Sequence, residues 1–187
     1  MFKGATRPLK IAIVGPESCG KTTLARALAA ALNASGIAAA WAPEYARDYF
    51  ATRPYRSTPE IIEEVARGQL AAEQALAADV QVLLCDTTAL NCKIWSEVAH
   101  GRCSPGLLEL YRPGDYALTL LAEPDIPWEP DPLRSHPTQR DWLFGLYRQA
   151  LEEAGIDATR VSGAHEQRMA QALAALAAIW PGELPKF

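Results

Sequence analysis

The segment GPESCGKT at residues 15–22 constrains the fold more than any other part of the chain. It satisfies the pattern G-x-x-x-x-G-K-[ST], follows an apolar run over residues 9–14, and precedes a leucine- and alanine-rich run with helical spacing. Its glycines allow backbone N–H groups to turn inward around phosphate oxygens, and the start of the next helix adds unpaired N–H donors and a positive dipole end. The segment therefore predicts a strand–loop–helix unit that holds a nucleoside triphosphate.

Side-chain chemistry suggests individual roles within this phosphate loop. Lys21 can bridge the outer phosphates, and the hydroxyl group of Thr22 can ligate Mg²⁺. The residues expected to contact the nucleotide are Gly15, Glu17, Ser18, Cys19, Gly20, Lys21, Thr22 and Thr23. We therefore predict a nucleoside triphosphate and Mg²⁺ as cofactors.

Apolar runs alternate with segments of helical period along the chain, which is typical of a parallel sheet covered by helices. The predicted strands are short and mostly apolar, as buried parallel strands are; they lie at residues 9–14, 37–41, 80–85, 116–121 and 158–161. With 187 residues, 49% of them apolar, we expect one globular domain over residues 1–187. The predicted fold is α/β, with a doubly wound five-stranded parallel sheet and helices on both faces.

Two helices have readable starts. Ser57 and Glu60 have capping-box spacing, and Thr138 with Asp141 can open a later helix. The predicted core face of the first is Ile61, Val65, Gly68, Ala72 and Leu76, and that of the second is Leu143, Leu146, Tyr147, Ala150 and Leu151. A last helix is expected to end at Trp180.

A proline-rich region interrupts this alternation. Residues 123–137, EPDIPWEPDPLRSHP, contain five prolines, so neither a helix nor a central strand is expected there. Long exposed loops in compact domains are often lids, and positioned arginines stabilise a transferring phosphoryl group. We therefore predict a lid loop at about residues 123–140, with Arg134 and Arg140 as catalytic candidates. Trp128 can stack on a flat, cationic ring, or it can anchor the loop by burial.

Charged residues follow two predicted strands at the sheet edge where ligands of parallel sheets collect. Glu44 and Arg47 follow the second strand, and Glu44 is a candidate base for a substrate hydroxyl; the alternative is a solvated surface pair. Asp86 closes the third strand. It can hold Mg²⁺ or its water, or it can take the substrate proton, and the residues alone leave that choice open.

Composition excludes several partners. A net charge of −4 and a pI of about 5.4 provide no basic field for nucleic acid or for an anionic membrane. The apolar run behind the N-terminal cations is too short for a signal peptide, and no later run has the length of a spanning helix. We therefore expect a cytoplasmic protein with reduced cysteines and a small-molecule substrate. The sequence does not indicate its oligomeric state.

Several segments together resemble the ribosylnicotinamide kinase family, the kinase domain of NadR-type NAD-biosynthesis proteins. The resemblance covers nearly the whole chain and rests on GPESCGKTTL at 15–24, PEYARDY at 43–49, Gln69 in ARGQ, DTTAL at 86–90 and WEPDPLR at 128–134. It implies a P-loop kinase fold that transfers the γ-phosphoryl group of ATP to the ribose 5′-hydroxyl of nicotinamide riboside, giving nicotinamide mononucleotide.

The resemblance also implies residue roles. Lys21 and Thr22 are assigned to phosphate and Mg²⁺, and Glu44, Arg47 and Asp86 to the substrate and metal edge. Gln69, Trp128, Asp131 and Arg134 match its substrate and lid motifs. Bifunctional members carry an adenylyltransferase or DNA-binding domain that 187 residues leave no room for, so a kinase alone is expected. Two alternatives remain: a P-loop kinase for another nucleoside or small metabolite, and a nucleotide-dependent regulatory module.

Overall fold

The computed structural model describes residues 7–184, and its centre is a five-stranded sheet. The strands are β1 (Leu9–Val14), β2 (Ala39–Ala42), β3 (Val82–Asp86), β4 (Leu118–Ala122) and β5 (Thr159–Val161). Their order is β2-β3-β1-β4-β5, and every neighbouring pair is parallel. The predicted sheet is confirmed, although β2 to β5 each begin one or two residues later than expected.

Helices cover both faces of the sheet. They are α1 (Lys21–Ala34), α2 (Tyr45–Ala51), α3 (Pro59–Leu76), α4 (Ala89–His100), α5 (Pro105–Leu110), α6 (Arg140–Glu153) and α7 (His165–Ala177). In β1, Ile11 and Ile13 pack in one cluster with α1 and α7, whereas Ala12 and Val14 pack in another with α4 and α6. Successive strand side chains point to opposite faces, so a continuous apolar run can be buried on both.

Helix α3 differs from its prediction in both its start and its buried face. Its N-cap is Thr58, not Ser57, because the Thr58 hydroxyl accepts a hydrogen bond from the Ile61 backbone N–H at 3.2 Å. The buried residues are Ile62, Val65, Ala66, Gln69 and Glu73. Of the predicted face only Val65 is fully buried. The other buried positions include Ile62, Gln69 and Glu73, each one residue after a predicted position, and apolar periodicity does not identify Gln or Glu as buried.

Glu73 is buried because its carboxylate has partners. Lys10 forms a 2.6 Å ion pair with it, and the Tyr116 hydroxyl donates to it at 3.1 Å. Burial, followed by the Glu73 charge, raises the pKa of Tyr116, so the phenol stays protonated and remains a donor. These polar contacts hold α3 against strand β1.

The ends of the last two helices also differ from prediction. Helix α6 begins at Arg140 and not at Thr138, since Gln139 occupies its N-cap without a side-chain hydrogen bond. Its predicted core face is correct except for Leu146, which is half-buried. Helix α7 ends at Ala177 and not at Trp180.

Within residues 7–184, no helix combines the length and the apolar character needed to cross a bilayer.

Candidate functional site

The phosphate loop connects β1 to α1 and contains three residues with positive φ. Gly15 has φ +139°, and a Cβ there would lie 2.6 Å from the Ala122 carbonyl oxygen, so no other residue fits. Gly20 has φ +80° and directly precedes α1, and Ser18 has φ +53°. These left-handed positions bend the loop back over the start of α1, where the helix has unpaired N–H groups.

The Lys21 ammonium group lies over this loop. Its Nζ donates to the carbonyl oxygens of Gly15 at 3.0 Å and Pro16 at 2.5 Å. The buried thiol of Cys19 also donates to the Pro16 carbonyl, at 2.9 Å, so this side chain points into the core. The Lys21 ammonium therefore places a positive charge over the loop, whereas the Cys19 thiol is buried.

Thr22 and Asp86 meet at the end of β3. The Thr22 hydroxyl donates to Asp86 Oδ2 at 2.5 Å, and Asp86 Oδ1 is buried without a hydrogen-bond partner. Burial raises the pKa of Asp86, and the Lys21 charge and the Thr22 hydroxyl oppose that rise. A hydroxyl oxygen beside a carboxylate with a free buried oxygen fits Mg²⁺, which prefers oxygen ligands.

Glu44, Arg47 and Asp131 form a chain of ion pairs between α2 and the lid loop. Arg47 Nε donates to Glu44 Oε2 at 3.1 Å, and Arg47 NH1 donates to Asp131 Oδ2 at 2.8 Å. Burial opposes ionisation of Asp131, but the Leu133 backbone N–H and the Arg47 guanidinium outweigh it and hold its pKa below the ordinary value. The structure therefore brings these three predicted residues together.

Both predicted lid arginines contact the phosphate loop. Arg134 NH1 donates to the Ser18 hydroxyl at 3.3 Å and to the Glu129 carbonyl at 2.6 Å. Arg140 NH1 donates to the Ser18 carbonyl at 3.0 Å, and its buried Nε has no partner. Both guanidinium groups thus contact Ser18, in the middle of the phosphate loop.

Trp128 is attached to the phosphate loop. Its indole N–H donates to Glu17 Oε1 at 2.9 Å, and the ring is half-buried. This contact is the one that the anchoring alternative expects, and the predicted stacking of Trp128 on a substrate ring stays a prediction. Glu17 in turn directs its carboxylate at the lid loop.

Two cavities meet beneath the lid loop. The first, which we term the loop cavity, has a volume of about 270 Å³ and is lined by the phosphate loop, Arg47 and Arg134. The second, the aromatic cavity, has a volume of about 150 Å³. Glu17, Lys21, Glu44 and Leu133 line both cavities. The two cavities therefore adjoin at Lys21 and Glu44.

Aromatic side chains form much of the wall of the second cavity; they are Phe50, Tyr55, Trp95 and Tyr147. Tyr55 stacks on Trp95, with ring centroids 6.3 Å apart and planes inclined by 22°. Gln69, which the sequence predicted for the substrate, also lines this cavity. Its Oε1 accepts the Tyr45 backbone N–H at 2.9 Å, and its buried Nε2 has no partner.

The aromatic wall and Arg168 were not predicted from the sequence. The four aromatic residues come from α2, the α2–α3 loop, α4 and α6, so no spacing along the chain connects them. Arg168 is 3% exposed and precedes the buried Met169 on α7. The sequence did contain one indication of a buried Arg168, because this arginine lies on the apolar face of a predicted helix.

Arg168 connects the phosphate loop to the loops that follow β4 and β5. It donates to the carbonyl oxygens of Cys19 at 3.0 Å, Glu123 at 3.0 Å and Gly163 at 2.9 Å, and it pairs with the Asp125 carboxylate. The base of the lid loop and the phosphate loop are therefore held by one buried guanidinium.

Comparison with known proteins identifies the fold. The AAA_28 family, described as an AAA domain, matches residues 10–168. No curated protein sequence matches the chain. A structure of NadR protein in complex with NR has a TM-score of 0.73 at 20% identity, over 96% of this chain and 52% of that chain. NadR protein in complex with NAD and AMP-PNP has a TM-score of 0.71, at the same identity and coverage.

A nucleoside kinase shares the fold as well. Deoxyadenosine kinase from M. mycoides, with dCMP and dCDP as products, has a TM-score of 0.55 at 14% identity, over 91% of this chain and 100% of that one. The present chain spans about half the length of the NadR chains that it matches, 52%. The five-stranded parallel sheet with helices on both faces is therefore a P-loop kinase-like fold.

Proposed function

We propose that this chain, which belongs to the AAA_28 family of AAA domains, is an ATP-dependent kinase that phosphorylates the ribose 5′-hydroxyl of nicotinamide riboside, giving nicotinamide mononucleotide. The observation that carries the proposal is the junction of the two cavities, because Lys21 and Glu44 line both. A kinase must bring its donor and acceptor together at the transferred phosphoryl group. Structures of similar fold that contain NR, or NAD and AMP-PNP, support the choice of ligands.

The loop cavity is suited to the triphosphate. Residues of the loop and of the start of α1 line it, where a helix start has unpaired N–H donors, and the Lys21 ammonium adds a positive charge. Thr22 and Asp86 would hold Mg²⁺, which when bound neutralises charge on the phosphates. Arg134 and Arg140 donate hydrogen bonds to Ser18 of the phosphate loop, and from there they would stabilise charge on the transferring group.

The aromatic cavity is suited to the nucleoside. Its aromatic faces can stack on a flat ring, and a cationic ring such as nicotinamide riboside carries is attracted to them more strongly. The acidic side chains of Glu17 and Glu44 line the cavity and also favour a cation. The free Nε2 of Gln69 supplies a hydrogen-bond donor.

The charges of the cavity favour a nucleoside over a nucleoside monophosphate as acceptor. Among the described residues that line the aromatic cavity, the basic side chains are Lys21 and His136. Recognition of an acceptor phosphate ordinarily uses arginine or lysine, and Lys21 is already assigned to the donor phosphates. The acceptor is therefore expected to carry no phosphate of its own.

We assign the base to Glu44 and the metal edge to Asp86. Glu44 lines both cavities, whereas Asp86 is buried and bonded to Thr22. Glu44 would take the proton of the 5′-hydroxyl as the oxygen attacks the γ-phosphorus and the bond to the β-phosphate oxygen breaks. Arg47, which pairs with Glu44, would hold that carboxylate in place.

Coupled ADP release measures this activity directly. ATP and Mg²⁺ would be supplied with nicotinamide riboside, with a panel of common nucleosides, and with no acceptor, and kcat/KM compared among acceptors. We expect nicotinamide riboside to be preferred and Lys21→Ala to abolish most turnover, with circular dichroism showing that this variant is folded. Preference for another nucleoside would contradict the proposed substrate. Turnover independent of any acceptor would contradict the proposed kinase activity.

A further inference from the structure

Glu17 makes contacts that the binding of a triphosphate does not explain. Its carboxylate accepts hydrogen bonds from the Trp128 indole N–H at 2.9 Å and from the backbone N–H groups of Ser135 at 3.0 Å and His136 at 2.8 Å. The His136 ring lies 3.8 Å away, and the Glu17 side chain is only 14% exposed. Every one of these donors belongs to the lid loop.

A carboxylate is an unfavourable residue in a loop that binds phosphates. Glu17 lines the loop cavity, so its negative charge lies beside the place of the triphosphate and repels it. Three N–H donors offset that charge only while the lid loop is seated on the phosphate loop. Opening of the lid would leave the carboxylate without these partners beside the nucleotide, so nucleotide binding and lid closure are energetically linked.

The same lid residues also border the acceptor. Ser135, His136 and Glu17 line the aromatic cavity, whereas Arg134 lines the loop cavity. An acceptor in the aromatic cavity would therefore contact the segment that Glu17 holds, and this segment carries Arg134 toward the phosphates. Closing such a segment also excludes water from the transferred group.

We propose that Glu17 is a positioning residue that holds the lid loop closed across both cavities during phosphoryl transfer, and so favours transfer to the acceptor over hydrolysis. This role rests on the proposed kinase function, but the contacts that carry it do not depend on which acceptor is used. Glu17 itself performs no chemical step.

The kinetic test compares Glu17→Gln, Trp128→Phe and the double variant with the wild type. Glutamine keeps the shape, but it loses the charge and sets an NH₂ group against the lid donors. Phenylalanine removes the indole N–H together with the pyrrole ring that carries it, and leaves a smaller aromatic ring. We expect Glu17→Gln to lower kcat for transfer about tenfold, the loss typical of one charge-assisted hydrogen bond, while KM for ATP stays equal or falls. The fraction of ADP released without acceptor should rise several-fold.

The double variant should be non-additive, because both single changes break the same contact. Asp157→Asn is the matched control, since it removes one carboxylate from an exposed position in the loop that leads into β5, away from both cavities. It should leave kcat, KM and the hydrolysed fraction unchanged. Unchanged transfer and hydrolysis in Glu17→Gln, or additive losses in the double variant, would overturn the proposal.

Trypsin provides a second measurement that needs no acceptor. Arg134 is a cleavage site within the lid loop, and its guanidinium is bonded to Ser18 and Glu129 while the lid is seated. With AMP-PNP and Mg²⁺ present, we expect cleavage after Arg134 to be at least several-fold faster in Glu17→Gln than in the wild type or Asp157→Asn. Equal cleavage rates would contradict the proposal that Glu17 holds the lid loop closed. Failure of nicotinamide riboside as acceptor would contradict only the proposed substrate.

Discussion

Two carboxylates at the candidate site differ in their surroundings, and the roles that we propose for them differ accordingly. Asp86 is 1% exposed, and its Oδ2 accepts the Thr22 hydroxyl. The Glu44 side chain is 28% exposed and lies where the two cavities meet. A base needs contact with the acceptor hydroxyl, whereas a metal ligand needs contact with the ion that binds the phosphates. Position thus favours Glu44 as base and Asp86 as metal ligand.

Separate substitutions distinguish these roles. We expect Glu44→Gln to lower kcat by about 10²- to 10⁴-fold with little change in Mg²⁺ dependence, because it removes the proton acceptor alone. Asp86→Asn should raise the Mg²⁺ concentration for half-maximal rate, because it removes a charged ligand. Initial rates over a Mg²⁺ series measure both quantities. The reverse pattern would exchange the two assignments.

At the scale of elements, α2 is positioned by its contact with α3. Gly68 lies in the middle of α3, and a Cβ at this position would lie 1.9 Å from the Tyr45 ring. Tyr45 is the first residue of α2, directly after Glu44 and two residues before Arg47. The missing side chain at Gly68 therefore allows α2 to bring Glu44 and Arg47 to the cavities.

Gly68→Ala tests this contact. Glycine to alanine inside a helix ordinarily stabilises by about 0.5–1 kcal/mol, but here the added methyl group must displace a packed ring. We expect a net loss of about 1–3 kcal/mol in the free energy of unfolding, together with weaker acceptor binding. Gly145→Ala in α6, where a Cβ meets nothing within 4 Å, is the control and should stabilise. Chemical denaturation measures both, and similar effects at the two glycines would exclude the packing argument.

For the whole molecule, Arg168 joins parts of the chain that are distant in sequence. Its buried guanidinium bonds to the phosphate loop and to the segments after β4 and β5. A buried arginine is tolerated because carbonyl oxygens and the Asp125 carboxylate satisfy its donors. Removing it would leave that carboxylate and three carbonyl groups without this partner.

We therefore expect Arg168→Leu to lower the free energy of unfolding by about 3–5 kcal/mol, because three backbone carbonyl groups lose one buried charged donor at once. Arg160 pairs with Glu123 at 2.6 Å, but its side chain is 58% exposed. Arg160→Leu should cost about 0–1 kcal/mol, as exposed pairs do. Urea denaturation of both variants measures the difference, and equal losses would refute the linking role of Arg168.

The sequence alone determined the parallel sheet, the phosphate loop and the irregular proline-rich segment, because each is encoded in a continuous stretch of the chain. Buried parallel strands are short apolar runs, the glycines and Lys21 of the loop are adjacent, and five prolines exclude regular structure from the lid segment. The placement of Glu44, Arg47 and Asp86 near one another was also predictable, since the ends of parallel strands meet at one edge of a sheet.

Only the tertiary structure decided which side chains meet across that edge. The aromatic wall comes from four separate segments, Arg168 reaches the phosphate loop from α7, and Glu17 bonds to lid residues more than 100 positions away. The buried face of α3 includes Gln69 and Glu73, whose burial is explained only by partners on other elements. Such contacts depend on distances in the folded chain, which local periodicity does not encode.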